Sequence, residues 1–457
     1  YYIVPNKRFC GVIYNEGVAV LSAIAKGKGC SVSLKMLDMS DFENGFSIAS
    51  NIDVHAISFA SQQFGLAKQV IDKISSEDHG HGKIVVGGVH ATVDRQSIIN
   101  LPNVDMVVSG EGEEFFEWLI ENFDSPDECT LPNVYVRGKP ATALCKSNYA
   151  DLNLLPFPDR SIFDKNLLKK TPEFILSRGC PYSCSYCVNE FLNDTFGMKI
   201  RKKSPEYCVG EIDDAFSLLD IHSDTMLTFH DDVFLVDNNW LYSFSELYRK
   251  TFNNPFRCNT TATAIKEEKV RLLKEMNCSE VWIGVETGNE EFRRNVLNKK
   301  CSNNQIIKAF DIINKYGLRG VSFNLFACPG ETEEHVKDTI ELNLKAKVYS
   351  VTSAMFVPFP GTTLYDKELG KDNIRDLSEE EKDLGVSNSG LKEKNITNND
   401  YYYWRLMLRC KTENRMFLYN LLVILKYFSF PAELLKKTKP LVKKYLVRNR
   451  IVFDRST

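Results

Sequence analysis

Three cysteines fall within eight residues of one stretch, SRGCPYSCSYCVNE: Cys180, Cys184 and Cys187. Thiolates favour soft metals, and this spacing lets one tight loop bring three sulfurs around a single centre. A structural zinc, or an iron–sulfur cluster held wholly by protein, takes four ligands. Cys208 lies twenty-one residues beyond Cys187, and His222 and His230 lack the short spacing of an obvious zinc partner. A Gly-Cys-Pro turn with three clustered thiols is also poor core filling. The loop reads as a soft-metal site that is one ligand short.

The elements around it must present that loop. From Phe174, FILSRG precedes the cysteines, and α/β units then repeat: MLTFHDDVFL, FRCNTTA, VRLLKEMNCSEVWIGVETG, IIKAFDIINKYGLRGVSFNLFACPG and a unit ending SVTSAMFVPFPGT. Six such units suit a partial or complete barrel. An earlier series alternates likewise: IVP, helix-like GVAVLSAIAKGKG, SVSLKMLD, DVHAISFA, LAKQVIDKI, KIVVGGVHA, VDMVVSGEGE and EFFEWLI. Short apolar strands between helices predict a parallel sheet covered on both faces, which binds ligands beyond the carboxyl ends of its strands. The resulting division is a first α/β domain over 1–128, a proline-bounded linker over 129–172, a second α/β domain over 173–370 and a mainly helical region over 371–457.

The whole chain of 457 residues is long enough for two or three domains. Its 43% hydrophobic and 26% charged content and net charge of -3 are ordinary for a soluble globular protein, without the basic balance of a dedicated nucleic-acid binder. The thirteen cysteines are scattered and odd in number, which suits a reducing compartment better than a disulfide framework. No signal peptide is visible, so a cytoplasmic location is expected. Towards the end, Met416–Phe430 is apolar and aromatic but contains Lys426, and Lys436–Arg450 holds seven Lys or Arg beside a Leu/Val/Tyr stripe. Two readings stay open: helices packed on the core, and a peripheral membrane contact.

The Cys-x3-Cys-x2-Cys loop after a first strand resembles that of the radical S-adenosylmethionine (SAM) superfamily, specifically the branch carrying a cobalamin-binding domain. The implied architecture is a Rossmann-like cobalamin-binding domain, a (β/α)6 partial TIM barrel and a mainly helical C-terminal region. The resemblance implies that Cys180, Cys184 and Cys187 hold three irons of a [4Fe-4S] cluster, and that SAM takes the fourth. Tyr186 would flank the adenine region. FHDDVFLVDNNW resembles the loop after the second barrel strand, making Asp231 and Asp232 candidates for the ammonium or ribose side of SAM, with a solvated loop or helix cap as the alternative. VWIGVETGNEE places Glu286 where it would receive the amino group, or else serve as a salt-bridge partner. NLFACPGETEEH offers Asn324 to adenosine and a turn at Pro329-Gly330-Glu331-Thr332, and VPFPGTTLY, with Pro360 and Gly361, resembles the sixth strand end. Arg257 and Arg319 are weaker candidates for the SAM carboxylate.

In the first domain IVVGGVHAT and DMVVSGEGE carry the resemblance. It implies that Gly87, Gly88, His90, Thr92, Gly110, Glu111 and Gly112 lie along a corrinoid, with Ser58 to Gln62 as a further strand-end loop; glycines permit close backbone approach to such a planar ligand. The Asp-x-His-x-x-Gly segment of methionine-synthase-like domains is absent: DMSDFENG keeps Asp38 but has Ser40 where the axial histidine would stand.

The family chemistry implied is reductive cleavage of SAM to a 5'-deoxyadenosyl radical, hydrogen abstraction from an unactivated carbon and methyl transfer from methylcobalamin. Its substrate would be a small molecule or natural product, its electron donor a protein such as flavodoxin or ferredoxin, with no nucleic-acid partner. The rival within the class is a cyclase, ring-modifying enzyme or oxidoreductase without methyl transfer. An RNA methylthiotransferase is disfavoured, because only Cys10 and Cys30 precede Cys129. A corrinoid carrier without catalysis is disfavoured by the intact cysteine triad.

Overall fold

Alternating apolar runs and helix caps divide the chain into two parallel sheets, seen in a computed structural model that describes residues 1–4, 14–77, 82–146, 151–198, 200–370, 372–374, 390–392 and 394–427. The first sheet contains β1 (Tyr2–Ile3), β2 (Met36–Leu37), β3 (Val54–Ser58), β4 (Lys83–Gly87), β5 (Met106–Val108) and β6 (Val134–Val136), in the order β2-β1-β3-β4-β5-β6. The first five strands are parallel, in the 2-1-3-4-5 order of flavodoxin-like sheets. The run SVSLKMLD contributes only its two-residue β2. β6 pairs antiparallel with β5, so part of the stretch predicted as linker is an edge strand of the first sheet.

Local chemistry accounts for the helices on this sheet. Asn15 accepts from the Val18 amide and caps the helix Glu16–Gly27, and the helix Phe64–Glu77 turns Leu66, Ala67, Val70, Ile71 and Ile74 inward. These pack with Ile57, Val86 and Val107 as one core.

The second sheet comprises β7 (Glu173–Phe174), β10 (Leu227–Phe229), β11 (Phe256–Thr260), β12 (Cys278–Glu286), β13 (Arg319–Phe326) and β14 (Ser350–Met355). All are parallel and neighbours in chain order, β14-β13-β12-β11-β10-β7, and the described residues show no pairing of β7 with β14 to close the ring. It is a partial (β/α)6 barrel. A short antiparallel pair, β8 (Ser177–Arg178) with β9 (Arg201–Lys202), stands just beyond β7. The core lies between the sheet and its helices, around Phe174, Phe229, Phe244, Tyr248, Phe256, Val281, Ile283 and Phe310.

The helices Asn398–Thr412 and Met416–Tyr427 follow the barrel. Tyr401, Tyr403, Trp404, Met407 and Leu408 are buried against Phe326, Val336, Ile340 and Met355. Lys426 reaches Glu333 at 3.0 Å and lies over the Trp404 ring. The described part of the tail is therefore packed on the barrel. The basic stripe Lys436–Arg450 lies outside the described residues. Among the described residues no helix is long and apolar enough to cross a membrane.

Candidate functional site

The β8–β9 pair fixes both ends of the cysteine loop: Cys180 follows β8 by two residues, and Cys187 caps the short helix Val188–Phe191. Asn193, in the π-helical turn that follows, donates to the Cys180 carbonyl at 2.8 Å, and Asn189 donates to Cys187 Sγ at 3.7 Å. Ser185 is buried, its amide donating to Leu297 O and its hydroxyl to Val296 O. The intervening backbone is thus anchored to the β12 loop while all three thiols keep partial exposure.

Burial raises the three thiols, Cys180 to about 12. For Cys180 and Cys187, Asp232 adds to the rise; for Cys184, the Lys299 ammonium opposes it. Among the described residues no three His, Cys, Asp or Glu side chains converge on a single metal ion. A cluster several atoms across spreads its thiolates more widely than one ion does, and a set of three soft donors suits such a cluster with one open iron.

The carboxylates divide sharply. Asp231 is buried and accepts from the Leu176 amide and the Ser177 hydroxyl. It clamps the turn from β7 into β8, and both carboxylate oxygens are engaged there rather than beside the thiols, where the ammonium or ribose side of SAM was expected. Asp232 is exposed, hydrogen-bonded to Asn189 and within electrostatic reach of Cys180 and Cys187. The surrounding loops withdraw its carboxyl in part from water and raise it, although the residue keeps an open face.

Glu286 ends β12 in a left-handed conformation, φ 66°. Its Oε1 accepts from Lys299 Nζ at 2.8 Å, and it is hydrogen-bonded to the Tyr186 hydroxyl. Lys299 is 13% exposed; burial opposes its charge, but Glu286 and Cys184 hold it above the ordinary range. Gly284 leaves the space, since a Cβ there would lie 2.3 Å from Glu286 Oε1 and 2.5 Å from Lys299 Nζ. Tyr186 packs with Phe292, Leu297, Phe356 and Leu364, joining the cysteine loop to the loops after β12 and β14. Lys299 escaped the sequence reading because LNKKCS has no periodicity or motif that separates Lys299 from Lys300.

Other predicted positions lie elsewhere. Asn324 faces the helix layer, where Nδ2 donates to Ser322 Oγ and Oδ1 accepts from Asn343, so the expected adenosine contact is not supported by its buried placement. Arg319 opens β13 at the amino end of the strand and pairs with Glu280 at 3.0 Å, at the wrong end for the SAM carboxylate. Arg257 donates to Thr228 Oγ1 and stacks over Trp282, which meets Phe323 edge-on. Trp282 alternates onto the same side of β12 as Glu286, so these rings line the concave face below the strand ends. Cys208 is fully buried and is core filling.

In the first domain, the loops after β3, β4 and β5 converge at the carboxyl edge of the sheet. Gly88 has φ 88°, and a Cβ there would meet Ser58 Oγ at 2.7 Å. Ser58 and Gln62 are partly exposed beside this turn. Thr92 is buried, donating to Gly88 O and accepting from the Gly110 amide, so it ties the Gly87–Gly88 loop to the Gly110–Gly112 loop. His90 is buried between Phe59 and Phe64, with Ser61 Oγ at 3.0 Å and Ser97 Oγ at 3.1 Å from its two nitrogens. It thus braces the loop from inside. Glu111 points across the domain boundary to Arg178, at 3.2 Å, and to Arg201.

Residues 174–342 match the Radical SAM superfamily and residues 7–120 match the B12 binding domain. An uncharacterised methyltransferase of Synechocystis sp. is 24% identical over 66% of this chain and 54% of its own length. An anaerobic magnesium-protoporphyrin IX monomethyl ester cyclase of Rubrivivax gelatinosus is 24% identical over 63% of this chain and 53% of its own. The chain thus spans about half the length of these curated relatives. The structure of the radical SAM methyltransferase TsrM from Kitasatospora setae, with cobalamin and a [4Fe-4S] cluster bound, superposes with a TM-score of 0.63 at 16% identity, covering 82% of this chain and 78% of that one.

Proposed function

We propose that this chain, which carries a B12-binding domain followed by a radical SAM domain, is a cobalamin-dependent radical SAM enzyme that methylates an unactivated carbon of a small-molecule or natural-product substrate. The observation that carries this reading is a three-thiol loop at the strand-end face of a partial barrel, joined by an ionic contact to the strand-end loops of a flavodoxin-like sheet. When bound, the cluster and SAM supply a carbon-centred oxidising radical and the corrinoid a transferable methyl group.

The chain's own residues have distinct tasks in this reading. Cys180, Cys184 and Cys187 would hold the cluster as thiolates, a form that burial alone disfavours. Glu286 and Asp232 present carboxylates to the cationic side of SAM, and Tyr186 packs behind it. Gly87, Gly88, Gly110, Gly112, Ser58 and Gln62 form the corrinoid edge, which Thr92 and His90 brace from beneath. Electrons would come from a small redox protein such as a flavodoxin or ferredoxin.

A cyclase or other ring-modifying reaction without methyl transfer is the second reading, favoured by the cyclase relative of equal identity. Anaerobic turnover with the substrate separates them: methyl transfer yields both 5'-deoxyadenosine and S-adenosylhomocysteine, and the alternative yields no S-adenosylhomocysteine. For the shared chemistry, Cys184→Ala should abolish reductive SAM cleavage while leaving corrinoid binding within about threefold. Retained cleavage in that variant overturns the assignment.

A further inference from the structure

The β8–β9 pair sets Arg178 directly opposite Arg201 in its antiparallel register. Like charges placed so are destabilising. The counter-charge comes from the other domain. Glu111 Oε1 lies 3.2 Å from Arg178 and also accepts from Arg201, bridging the two guanidinia. Glu113, at the start of the helix Glu113–Glu121, adds a 2.7 Å contact to Arg178, and buried Glu16 holds Lys203 at 3.2 Å. Arg178 is only 18% exposed, so these charge-assisted contacts are little screened.

This arrangement connects two places that the proposed function treats separately. Thr92 ties Gly88 to Gly110; Glu111 follows Gly110; Arg178 precedes Cys180 by two residues. A continuous chain of hydrogen bonds and ion pairs therefore runs from the glycine loops of the first sheet to the cysteine loop.

We propose that Glu111 is a positioning residue: by neutralising Arg178 and Arg201 across the domain boundary, it fixes the base of the cysteine loop relative to the corrinoid edge, and it does not contact the corrinoid. Resting on the cofactor reading above, this assigns the Gly-Glu-Gly-Glu segment two functions, with its glycines at the ligand and its glutamates turned to the neighbouring domain.

The test uses the full chain, anaerobically reconstituted, as wild type, Glu111→Gln, Arg201→Gln and the double variant. Hydroxocobalamin affinity is read by absorbance titration, and the reduced cluster is read by EPR with and without SAM. In Glu111→Gln, cobalamin affinity should stay within about threefold of wild type, while the SAM-induced EPR change should need roughly three- to tenfold more SAM. Adding Arg201→Gln removes the opposed charge and should restore most of the SAM response; Arg201→Gln alone should resemble wild type. If Glu111→Gln loses cobalamin and keeps its SAM response, Glu111 is a corrinoid contact and the proposal is wrong. Failure of the second substitution to rescue likewise overturns it. Should wild type bind no cobalamin, the functional reading fails, and the EPR comparison of the four proteins still decides the clamp.

Discussion

Lys299 shows how much one buried charge can organise. Its ammonium meets Glu286 at 2.8 Å and faces Cys184, so it offsets a carboxylate and a prospective thiolate together. Removing one partner of a buried pair leaves the other uncompensated, a loss of about 3 kcal/mol. Lys299→Met should therefore lower unfolding stability in urea by about that much, and Glu286→Gln added to it should recover part of the loss. A Lys299→Met protein that unfolds within about 0.5 kcal/mol of wild type would show that the pair is merely a surface contact. The three cysteines that organise this site were legible from spacing alone, and Glu286 from its place at a strand end. Lys299 was not, because only the path of the chain after Asn295 brings it back under β12.

At the scale of elements, the helix Asn398–Thr412 seals the loop after β13. Glu331 is buried there beside Tyr401, and its carboxylate accepts from the Ala327 amide. Burial outweighs those partners and raises the carboxyl to about 8, from 4.5. Between those values the folded protein holds a proton that the unfolded chain does not, so the group's stabilisation is fully present at low pH and is lost as pH rises through about 8. Wild type should carry this loss between about pH 4.5 and about pH 8 in denaturant titrations, and Glu331→Gln should flatten that segment of the profile. Equal slopes in the two proteins would refute the assignment. The strand and helix order of both sheets was visible in the apolar periodicity of the sequence. β6 was missed, since LPNVYVRG gives a three-residue strand between proline and glycine turns with no partner evident locally.

For the whole molecule, the contact between domains sets the geometry that any chemistry must use. Besides the ionic network, Gly361 in the loop after β14 approaches Val93 of the first domain. It has φ 81°, and a Cβ there would lie 2.9 Å from Val93 Cβ and 3.2 Å from Phe191 Cγ. Gly361→Ala should cost about 1–3 kcal/mol in unfolding stability, from the left-handed conformation and the crowding combined. It should also make the protein more susceptible to protease in 129–172. Unchanged stability and unchanged cleavage would mean that the two domains yield at this contact without cost.

Taken alone, the sequence determined the number and kind of donors in the cysteine loop, the two α/β series and the glycine turns at their strand ends. These are local properties, set by spacing, periodicity and backbone freedom over a few residues. Which side chains face the site was decided only by the tertiary structure. Asp231 and Asp232 are adjacent and chemically identical, yet the first is drawn inward by Leu176 and Ser177 and the second is left beside the thiols. Glu111 likewise meets Arg178 and Arg201, two arginines distant from it in sequence, and no local pattern in its glycine turn announces that pairing.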